Sequence, residues 1–253
     1  MPAKQKTQKK RADVVLFESG LVDSVREAAA RIMSGKVMYT DQNGKEKKLH
    51  KPGDSIHIGS SFRFAGAKHP YVSRGGLKLA AALEEFPLEI AGKICADIGI
   101  STGGFTDGLL QAGAKKVYGV DVGYGQTAWK IRTDPRVTLF ERTNVKNLGP
   151  SAFNETIDLL VIDVSFIALS GLLPKLKSFL AKGASMICLI KPQFEIPPDQ
   201  VPQGGVVSEP SLHQWAIDKV IAAARDIELY SRGIVPSPIK GADGNTEYLV
   251  WLQ

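Results

Sequence analysis

Four charged residues, two lysines and two acids, fall near the predicted ends of strands and helices. Asp163 ends the predicted strand "LLVIDV", and Lys191 ends the predicted strand "SMICLIK". Glu247 opens the last predicted strand, "EYLVWLQ", and Lys78 lies on a predicted helix ahead of the first strand. Taken singly, a lysine beside a carboxylate is more often an ordinary ion pair. Four such groups at one edge of a sheet predict a catalytic site instead.

A lysine amine held among carboxylates can take a proton from a hydroxyl group. An alcohol is a poor acid, so a base must lie close by when its oxygen attacks an electrophilic carbon. A lysine serves as that base where neighbouring positive charge and burial lower the pKa of an amine. In this hypothesis Lys191 is the base, Lys78 supplies the neighbouring charge, and Asp163 and Glu247 orient the amines and the hydroxyl. We predict no metal site, because the four histidines are scattered along the chain: His50, His57, His69 and His213.

The elements that must position these residues alternate between strands and helices from about residue 76 to the end. Near-continuous apolar strands separated by helices predict a doubly wound, mostly parallel sheet with an antiparallel pair at one edge. We therefore expect an α/β, Rossmann-like fold. The seven predicted strands are "ICADIG", "KVYGVDV", "VTLFER", "LLVIDV", "SMICLIK", "ELYSRGIV" and "EYLVWLQ".

The turn after the first of these strands, "ADIGISTGGFTDGLL", combines an acid with three glycines. Ligands bind at the carboxyl ends of strands in such sheets, and glycines let the backbone approach them. The spacing of Gly99, Gly103 and Gly104 does not match the GxGxxG pattern of a dinucleotide site. Asp121, at the end of the second strand, can accept hydrogen bonds from both hydroxyls of a ribose, and Asp97 can face a positively charged group. These features favour S-adenosylmethionine over NAD.

Composition limits the other classes of protein. The 253 residues are 43% hydrophobic, and the two cysteines, Cys95 and Cys188, lie in apolar strand-like runs, which suits free thiols in the cytoplasm. The apolar run "IDLLVIDVSFIALSGLL" is broken by Asp158 and Asp163, so we predict no membrane segment. Residues 1–80 hold 16 Lys+Arg against 7 Asp+Glu, a charge of +9, which favours a surface that faces nucleic acid.

The basic front third has its own organisation. Two short helices, a strand at "KVMYT", a turn at "DQNGKEKK" and a strand near "DSIHI" predict a helix-helix-hairpin unit over residues 1–60, with a linker over 61–75 and the α/β domain over 76–253. The order of Arg11, Asp13, Leu16 and Gly20 and the later "KPGD" resembles the S-four RNA-binding fold. A structural appendage or a dimerisation unit is the alternative for this small α+β domain.

The four charged residues, in the order Lys-Asp-Lys-Glu, resemble the FtsJ-type ribose 2′-O-methyltransferases. Blocks such as "YVSRGGLKL", "STGGFTD", "VYGVDVGYGQ", "IDVSFI", "KPQFE" and "PSPIKGADGNTEYL" resemble one branch, the TlyA family of ribosomal RNA methyltransferases, also called hemolysin A. The resemblance implies S-adenosylmethionine-dependent methylation of an rRNA cytidine and ribosomal RNA or ribosomal subunits as the partner.

The resemblance also assigns roles to residues. It implies that Lys78, Asp163, Lys191 and Glu247 are catalytic. The predicted cofactor-binding residues are Asp97, Gly99, Ser101, Gly103, Gly104, Phe105, Asp121, Val122 and Asn144. The predicted RNA-binding residues are Arg11, Arg26, Arg31, Lys36 and Arg74.

Three alternatives come from other classes. A pore-forming hemolysin would require a signal peptide, a membrane segment or disulfides, none of which the sequence shows. A non-catalytic ribosome assembly factor would not need the Lys-Asp-Lys-Glu set. A nicotinamide oxidoreductase is disfavoured because the GxGxxG pattern is missing.

Overall fold

The computed structural model describes residues 9–19, 21–22, 24–41, 44–64, 69–149, 151–241 and 244–253. The chain divides into a front unit, residues 1–68, and a second unit, residues 69–253. Most of the basic tail and Gly20 of the S-four-like pattern lie outside the described residues. Among the described residues, no helix is both long enough and apolar enough to cross a bilayer.

The front unit packs two helices and short strands around a small apolar core. Leu16, Ile32 and Val37 are fully buried in that core. Ser24 caps the second helix, because its hydroxyl accepts a hydrogen bond from the Glu27 amide at 3.1 Å. The elements in chain order are β1 (Lys9–Arg11), α1 (Ala12–Glu18), α2 (Val25–Met33), β2 (Val37–Thr40), β3 (Glu46–Lys48), β4 (Ser55–His57) and β5 (Ser61–Phe64).

Strand pairing in the front unit differs from the predicted hairpin. Strand β2 pairs with β3 and β5, whereas β4, the strand predicted as its partner, pairs with β1. Strand β3 lies within the predicted turn, since its exposed charged residues carry no alternation of apolar and polar side chains. The predicted linker over 61–75 is also wrong in part, because β5 belongs to the front sheet and helix α3 begins at Gly75.

The second unit is built on a seven-stranded sheet within the described residues, and all seven strands lie where the sequence predicts them. The spatial order is β11-β12-β10-β9-β6-β7-β8, with β12 antiparallel to both neighbours and the remaining pairs parallel. The strands are β6 (Ile94–Ile98), β7 (Lys116–Val120), β8 (Val137–Phe140), β9 (Ile157–Ile162), β10 (Leu180–Ile190), β11 (Ser231–Pro236) and β12 (Tyr248–Leu252).

Helices cover both faces of the sheet, so the strands are buried on both sides. Successive residues of a strand face opposite ways, and in β9 Leu160 packs into one core while Leu159 packs into the other. The helices are α3 (Gly75–Glu85), α4 (Gly104–Gln111), α5 (Trp129–Arg132), α6 (Leu173–Lys177), α7 (Pro192–Glu195) and α8 (Pro210–Arg225), with 3-10 turns at Val145–Asn147 and Pro198–Gln200. The prediction of a doubly wound α/β fold is confirmed.

One edge of this sheet collects the functional candidates. Strands β6 to β10 are parallel and end at the same edge. Strand β12 runs the opposite way, and its first residue, Tyr248, lies opposite Ile190 at the end of β10. Glu247, which precedes β12, therefore comes to the same edge as Lys191, which follows β10.

The turn after β6 packs tightly against the start of the next loop at this edge. Gly99 has φ +86°, and a Cβ atom there would lie 2.3 Å from the carbonyl oxygen of Asp163. Only glycine combines that backbone conformation with that approach. The turn predicted to hold a cofactor thus rests directly on the backbone of Asp163, whose carboxylate is predicted to be catalytic.

We expect Gly99→Ala to destabilise the protein more than Gly92→Ala does. Both positions have positive φ, but a Cβ atom at Gly92 meets nothing within 4 Å. The backbone strain of about 1–2 kcal/mol is common to both variants, and the overlap at Gly99 adds roughly 1–3 kcal/mol. Urea denaturation of both variants measures the difference. Equal free energies of unfolding would show that the loop moves away from Asp163 without cost.

Candidate active site

Lys78 and Glu247 form a buried ion pair. The Nζ atom of Lys78 lies 2.5 Å from Oε2 of Glu247, and the two residues are only 8% and 2% exposed. Lys78 is held by helix α3, whose Leu79 is fully buried in the core. Leaving either charge buried without its partner would cost several kcal/mol, roughly 3–5, so each group requires the other.

Asp163 joins this pair to Lys191. Its Oδ1 atom lies 2.6 Å from Lys191 Nζ, and its Oδ2 atom lies 4.0 Å from Lys78 Nζ. The two lysines therefore share one carboxylate, and Glu247 gives Lys78 a second. The structure brings together all four residues that the sequence predicts at this edge.

This cluster pairs two lysine amines with two carboxylates. A lysine amine in its neutral form can accept a proton. Lys191 is 9% exposed. The contacts run from Lys191 to Asp163, then to Lys78 and Glu247, so Lys191 and Glu247 lie at opposite ends of the cluster. A substrate hydroxyl placed beside this amine could transfer its proton to Lys191.

Asp121 has the geometry expected of a ribose-binding carboxylate. It accepts hydrogen bonds from the amides of Ser101 at 2.8 Å and Gly123 at 2.7 Å, one on each oxygen. Each carboxylate oxygen has a second lone pair, so two ligand hydroxyls can still be accepted. Gly103, with φ +95°, turns the chain into helix α4 at the other end of the same loop. These residues fit the adenosine part of S-adenosylmethionine.

Asp97 lies beneath this loop and is 1% exposed. Its Oδ2 atom accepts hydrogen bonds from the amide and the hydroxyl of Thr106, at 3.0 and 2.7 Å. Its Oδ1 atom is buried with no partner among the described residues. Burial raises the pKa of the Asp97 carboxyl to about 7, and the Thr106 bonds oppose that rise. A buried carboxylate oxygen without a partner fits a ligand that carries positive charge, as S-adenosylmethionine does.

Two predicted cofactor contacts also have packing roles. Phe105 is buried in the core cluster that includes Leu79 of α3. A Cβ atom on Gly104 would lie 2.3 Å from Ser73 Oγ and 2.8 Å from the Gly76 amide nitrogen. Gly104 therefore lets helix α4 start close against helix α3, which explains a glycine there without a ligand.

Two other predicted cofactor residues lie exposed at the strand ends. Val122 follows β7 and is 70% exposed. Asn144 follows β8, and its side-chain oxygen accepts a hydrogen bond from the Lys146 amide at 3.0 Å. Their positions are compatible with the predicted cofactor role.

The sequence interpretation missed Glu195, which is 2% exposed. Its carboxylate accepts hydrogen bonds from the Leu169 amide and from the Ser170 hydroxyl, the latter at 2.8 Å. Glu195 ends helix α7, which starts directly after Lys191, and the bonded residues lie in the loop that follows Asp163. The signal in the sequence was an acid four residues after Lys191, which is not distinctive without the packing.

Asn245 and His213 were also missed as supports of the site. Asn245 accepts a hydrogen bond from the Val207 amide and donates one to the Gly205 carbonyl, both at 2.8 Å. His213 contacts the Val207 carbonyl at 2.8 Å and the Tyr248 hydroxyl at 2.9 Å. Together they hold the segments on either side of Glu247.

The predicted RNA-binding residues differ in their surroundings. Arg11 pairs with buried Asp13 at 2.6 Å and holds the pKa of that carboxyl below its usual range. Arg31 pairs with Glu27 at 2.8 Å and lies over the Phe64 ring. Arg26, Lys36 and, in the second unit, Arg74 are exposed. Arg11 thus has a clear structural role in the front unit, whereas Arg26 and Lys36 are better placed to contact a ligand.

The fold and the site are those of an S-adenosylmethionine-dependent methyltransferase. They combine a mostly parallel seven-stranded sheet, a glycine loop with Asp97 and Asp121, and a cluster of lysines and carboxylates. The family model that matches the chain is that of the FtsJ-like methyltransferases, over residues 71–253. The chain belongs to this family.

Relatives with similarity over nearly the whole chain agree with that assignment. The chain is 41% identical to the 16S/23S rRNA (cytidine-2′-O)-methyltransferase TlyA of Mycobacterium tuberculosis, over 96% of this chain and 89% of that protein. It is 38% identical to hemolysin A of Brachyspira hyodysenteriae, over 94% and 98%. A solved structure of a hemolysin-like protein from Streptococcus thermophilus has a TM-score of 0.74 and 42% identity, over 97% of this chain and 88% of that one.

The raised pKa of Asp97 predicts a pH-dependent stability of the cofactor-free protein. An aspartate in the unfolded chain has a pKa of about 3.9, whereas that of folded Asp97 is about 7. Between these values the folded state keeps a proton that the unfolded state has released, so stability falls as the pH rises through this window. Asp97→Asn stays neutral at every pH in this window. We therefore expect its free energy of unfolding, relative to that of the unmodified protein, to rise by roughly 2–4 kcal/mol from pH 5 to pH 8.

Urea denaturation at both pH values checks this expectation. Asp218→Asn, which changes an exposed acid on α8, serves as the control and should show no such gain. If the difference in free energy of unfolding between the Asp97 variant and the unmodified protein does not change with pH, the pKa of Asp97 is not raised.

Proposed function

We propose that this protein transfers the methyl group of S-adenosylmethionine to the ribose 2′-oxygen of a cytidine in ribosomal RNA. The observation that carries the proposal is the contact of 2.6 Å between Lys191 Nζ and Asp163 Oδ1, which extends through Lys78 to Glu247. The cytidine and the rRNA follow from the similarity to the TlyA relative, which is named for that activity.

The cofactor supplies a methyl group on a positively charged sulfur, which makes the carbon electrophilic. The chain must then deliver the hydroxyl oxygen in line and remove its proton. Asp163 holds the Lys191 amine at the strand edge, and the Lys78–Glu247 pair holds Asp163 from the other side. Positioning of the reacting atoms contributes much of the acceleration in such a transfer.

The front unit supports the RNA part of the proposal. Residues 1–80 carry a net charge of +9, whereas residues 81–253 carry −3, and phosphate contacts dominate the affinity of proteins for nucleic acids. We infer that this S-four-like unit binds ribosomal RNA or a ribosomal subunit through Arg26, Lys36 and neighbouring basic residues. A cytoplasmic location fits such a substrate and the two buried free thiols, Cys95 and Cys188.

The experiment that tests the function uses tritium-labelled S-adenosylmethionine and ribosomal subunits that lack the modification. We expect the label to appear on a ribose 2′-oxygen, which blocks alkaline cleavage of the RNA at that nucleotide. A label on a base would contradict the ribose assignment. Binding to the subunit without any transfer of label would favour the non-catalytic assembly factor.

Substitutions of Lys191 test its role in the transfer. Lys191→Met keeps much of the apolar stem and removes the amine, so the transfer rate should fall at least about 100-fold while cofactor binding persists. Lys191→Arg should be nearly as inactive, because a guanidinium keeps the positive charge but cannot accept a proton. Single-turnover kinetics with saturating RNA measures both variants.

The two substitutions separate two mechanisms. If the arginine variant retains most of the activity, Lys191 contributes only its charge, and the proton must leave by another route. Calorimetry with S-adenosylmethionine provides the control, since an intact affinity excludes a collapsed site.

The salt dependence of RNA binding tests the front unit. The double variant Arg26→Ala/Lys36→Ala should weaken binding and lower the slope of log K against log salt concentration by about 0.7 per lost phosphate contact. The matched control, Lys93→Ala/Lys182→Ala, removes two lysines near the amino ends of the strands of the second unit. Transfer at saturating RNA should be unchanged in both. Equal slopes for the two variants would remove Arg26 and Lys36 from the RNA surface.

A further inference from the structure

Lys191 has a second polar neighbour besides Asp163. Its Nζ atom donates to the Oγ atom of Ser165 at 2.9 Å, whereas its contact with Asp163 Oδ1 is 2.6 Å. Asp163 and Ser165 lie two residues apart in the loop after β9, so one short segment supplies both contacts. In the part of the chain that the structure describes, these are the hydrogen-bond and ion-pair contacts of the amine, which also lies 6.0 Å from the centre of the Phe194 ring.

Two hydrogen-bond acceptors fix the direction of the lone pair on a neutral lysine amine. A lysine that can accept a proton has two N–H bonds and one lone pair. If the N–H bonds point at Asp163 and Ser165, the lone pair has only one direction left, away from both. With Asp163 as the only acceptor, the amine could rotate about its Cε–Nζ bond, and the lone pair would spend much of its time misdirected. Proton transfer requires alignment as well as closeness.

The structure holds Ser165 against Lys191 through the helix that Lys191 itself begins. Helix α7 follows Lys191 directly, and its Phe194 ring lies 5.3 Å from the ring of Phe166. At the end of the same helix, buried Glu195 binds Leu169 and Ser170 farther along the Ser165 loop. The serine and the lysine therefore belong to two segments that are joined at two further points.

The backbone beside Ser165 is strained in a way that supports a functional position. Phe166 has φ +64°, a left-handed conformation that is costly for a residue other than glycine. Its side chain is 92% exposed, so core packing does not explain the strain. Such strain persists where neighbouring contacts enforce it, and it is concentrated at functional sites.

We propose that Ser165 is a positioning residue that directs the lone pair of Lys191 at the substrate hydroxyl. The inference rests on the proposed function. As the oxygen–methyl bond forms, the hydroxyl proton passes to Lys191 Nζ, which becomes an ammonium group, and the electron pair of the broken carbon–sulfur bond stays on sulfur. Ser165 accepts a hydrogen bond from the amine throughout and exchanges no proton with the substrate.

The test compares Ser165→Ala with Ser165→Thr in the full-length protein. The alanine variant loses the hydroxyl, and we expect kcat to fall about 10- to 100-fold, a part of the effect that a general base provides. The KM values for RNA and for S-adenosylmethionine should change less than about 2-fold, because the residue acts on the amine rather than on either ligand. The threonine variant keeps a hydroxyl on the same carbon atom and should recover most of kcat.

Controls separate this inference from the proposed function. Ser211→Ala, at an exposed position of helix α8, should leave kcat unchanged. If the unmodified protein transfers methyl groups and Ser165→Ala is as active, the inference fails and the function stands. If the unmodified protein transfers none, the function itself fails.

Two further outcomes would overturn the positioning role. A raised KM for RNA with unchanged kcat would make Ser165 an RNA contact. Equal losses in the alanine and threonine variants would show that the hydroxyl is not the group that matters. A thermal unfolding midpoint equal to that of the unmodified protein establishes that each variant is folded.

Discussion

The site depends on the pairing of charges at a place that water barely reaches. Lys78 and Glu247 are almost fully buried, and Lys191 is nearly so. A buried charge without a partner costs more than most single interactions contribute, so the cluster is stable only as a set. Asp163 is the shared member, since it contacts both lysines. Displacing its loop would leave the Lys191 amine without a carboxylate partner and Lys78 with Glu247 alone.

This requirement explains features that lie outside the cluster. Gly99 allows the turn after β6 to rest on the Asp163 backbone, so the predicted cofactor loop and the shared carboxylate occupy fixed relative positions. Glu195 holds the far side of the Asp163 loop to helix α7. Asn245 and His213 secure the segments near Glu247. Glu195, Asn245 and His213 are buried polar side chains, and each makes at least one hydrogen bond to a backbone atom of another segment.

The cofactor side and the base side of the site have different electrostatics. Asp97 lies under the glycine loop with one oxygen unpartnered, and burial raises the pKa of its carboxyl to about 7. Asp121 is bonded to two amides and stands at the strand end. A ligand with a positive charge and a ribose would satisfy both acids, whereas a phosphate-bearing dinucleotide would bring negative charge towards Asp97. The geometry therefore agrees with the methyltransferase family to which the chain belongs.

The sequence by itself determined the seven strands of the sheet and the acid and glycines of the first turn. It also determined that Asp163 and Lys191 lie at the ends of their strands, at one edge of the sheet. These features are local, since apolar runs, glycines and terminal polar residues follow one another along the chain. Strand pairing in the front unit was not determined this way, because the charged residues of β3 carry no alternation and β4 pairs with a strand more than 40 residues earlier. Only the tertiary structure decided that Phe105 and Gly104 serve packing, that Glu195 clamps a loop, and that Ser165 contacts Lys191. Those roles depend on which side chains meet across segments distant in sequence, and residue type and spacing do not specify such meetings.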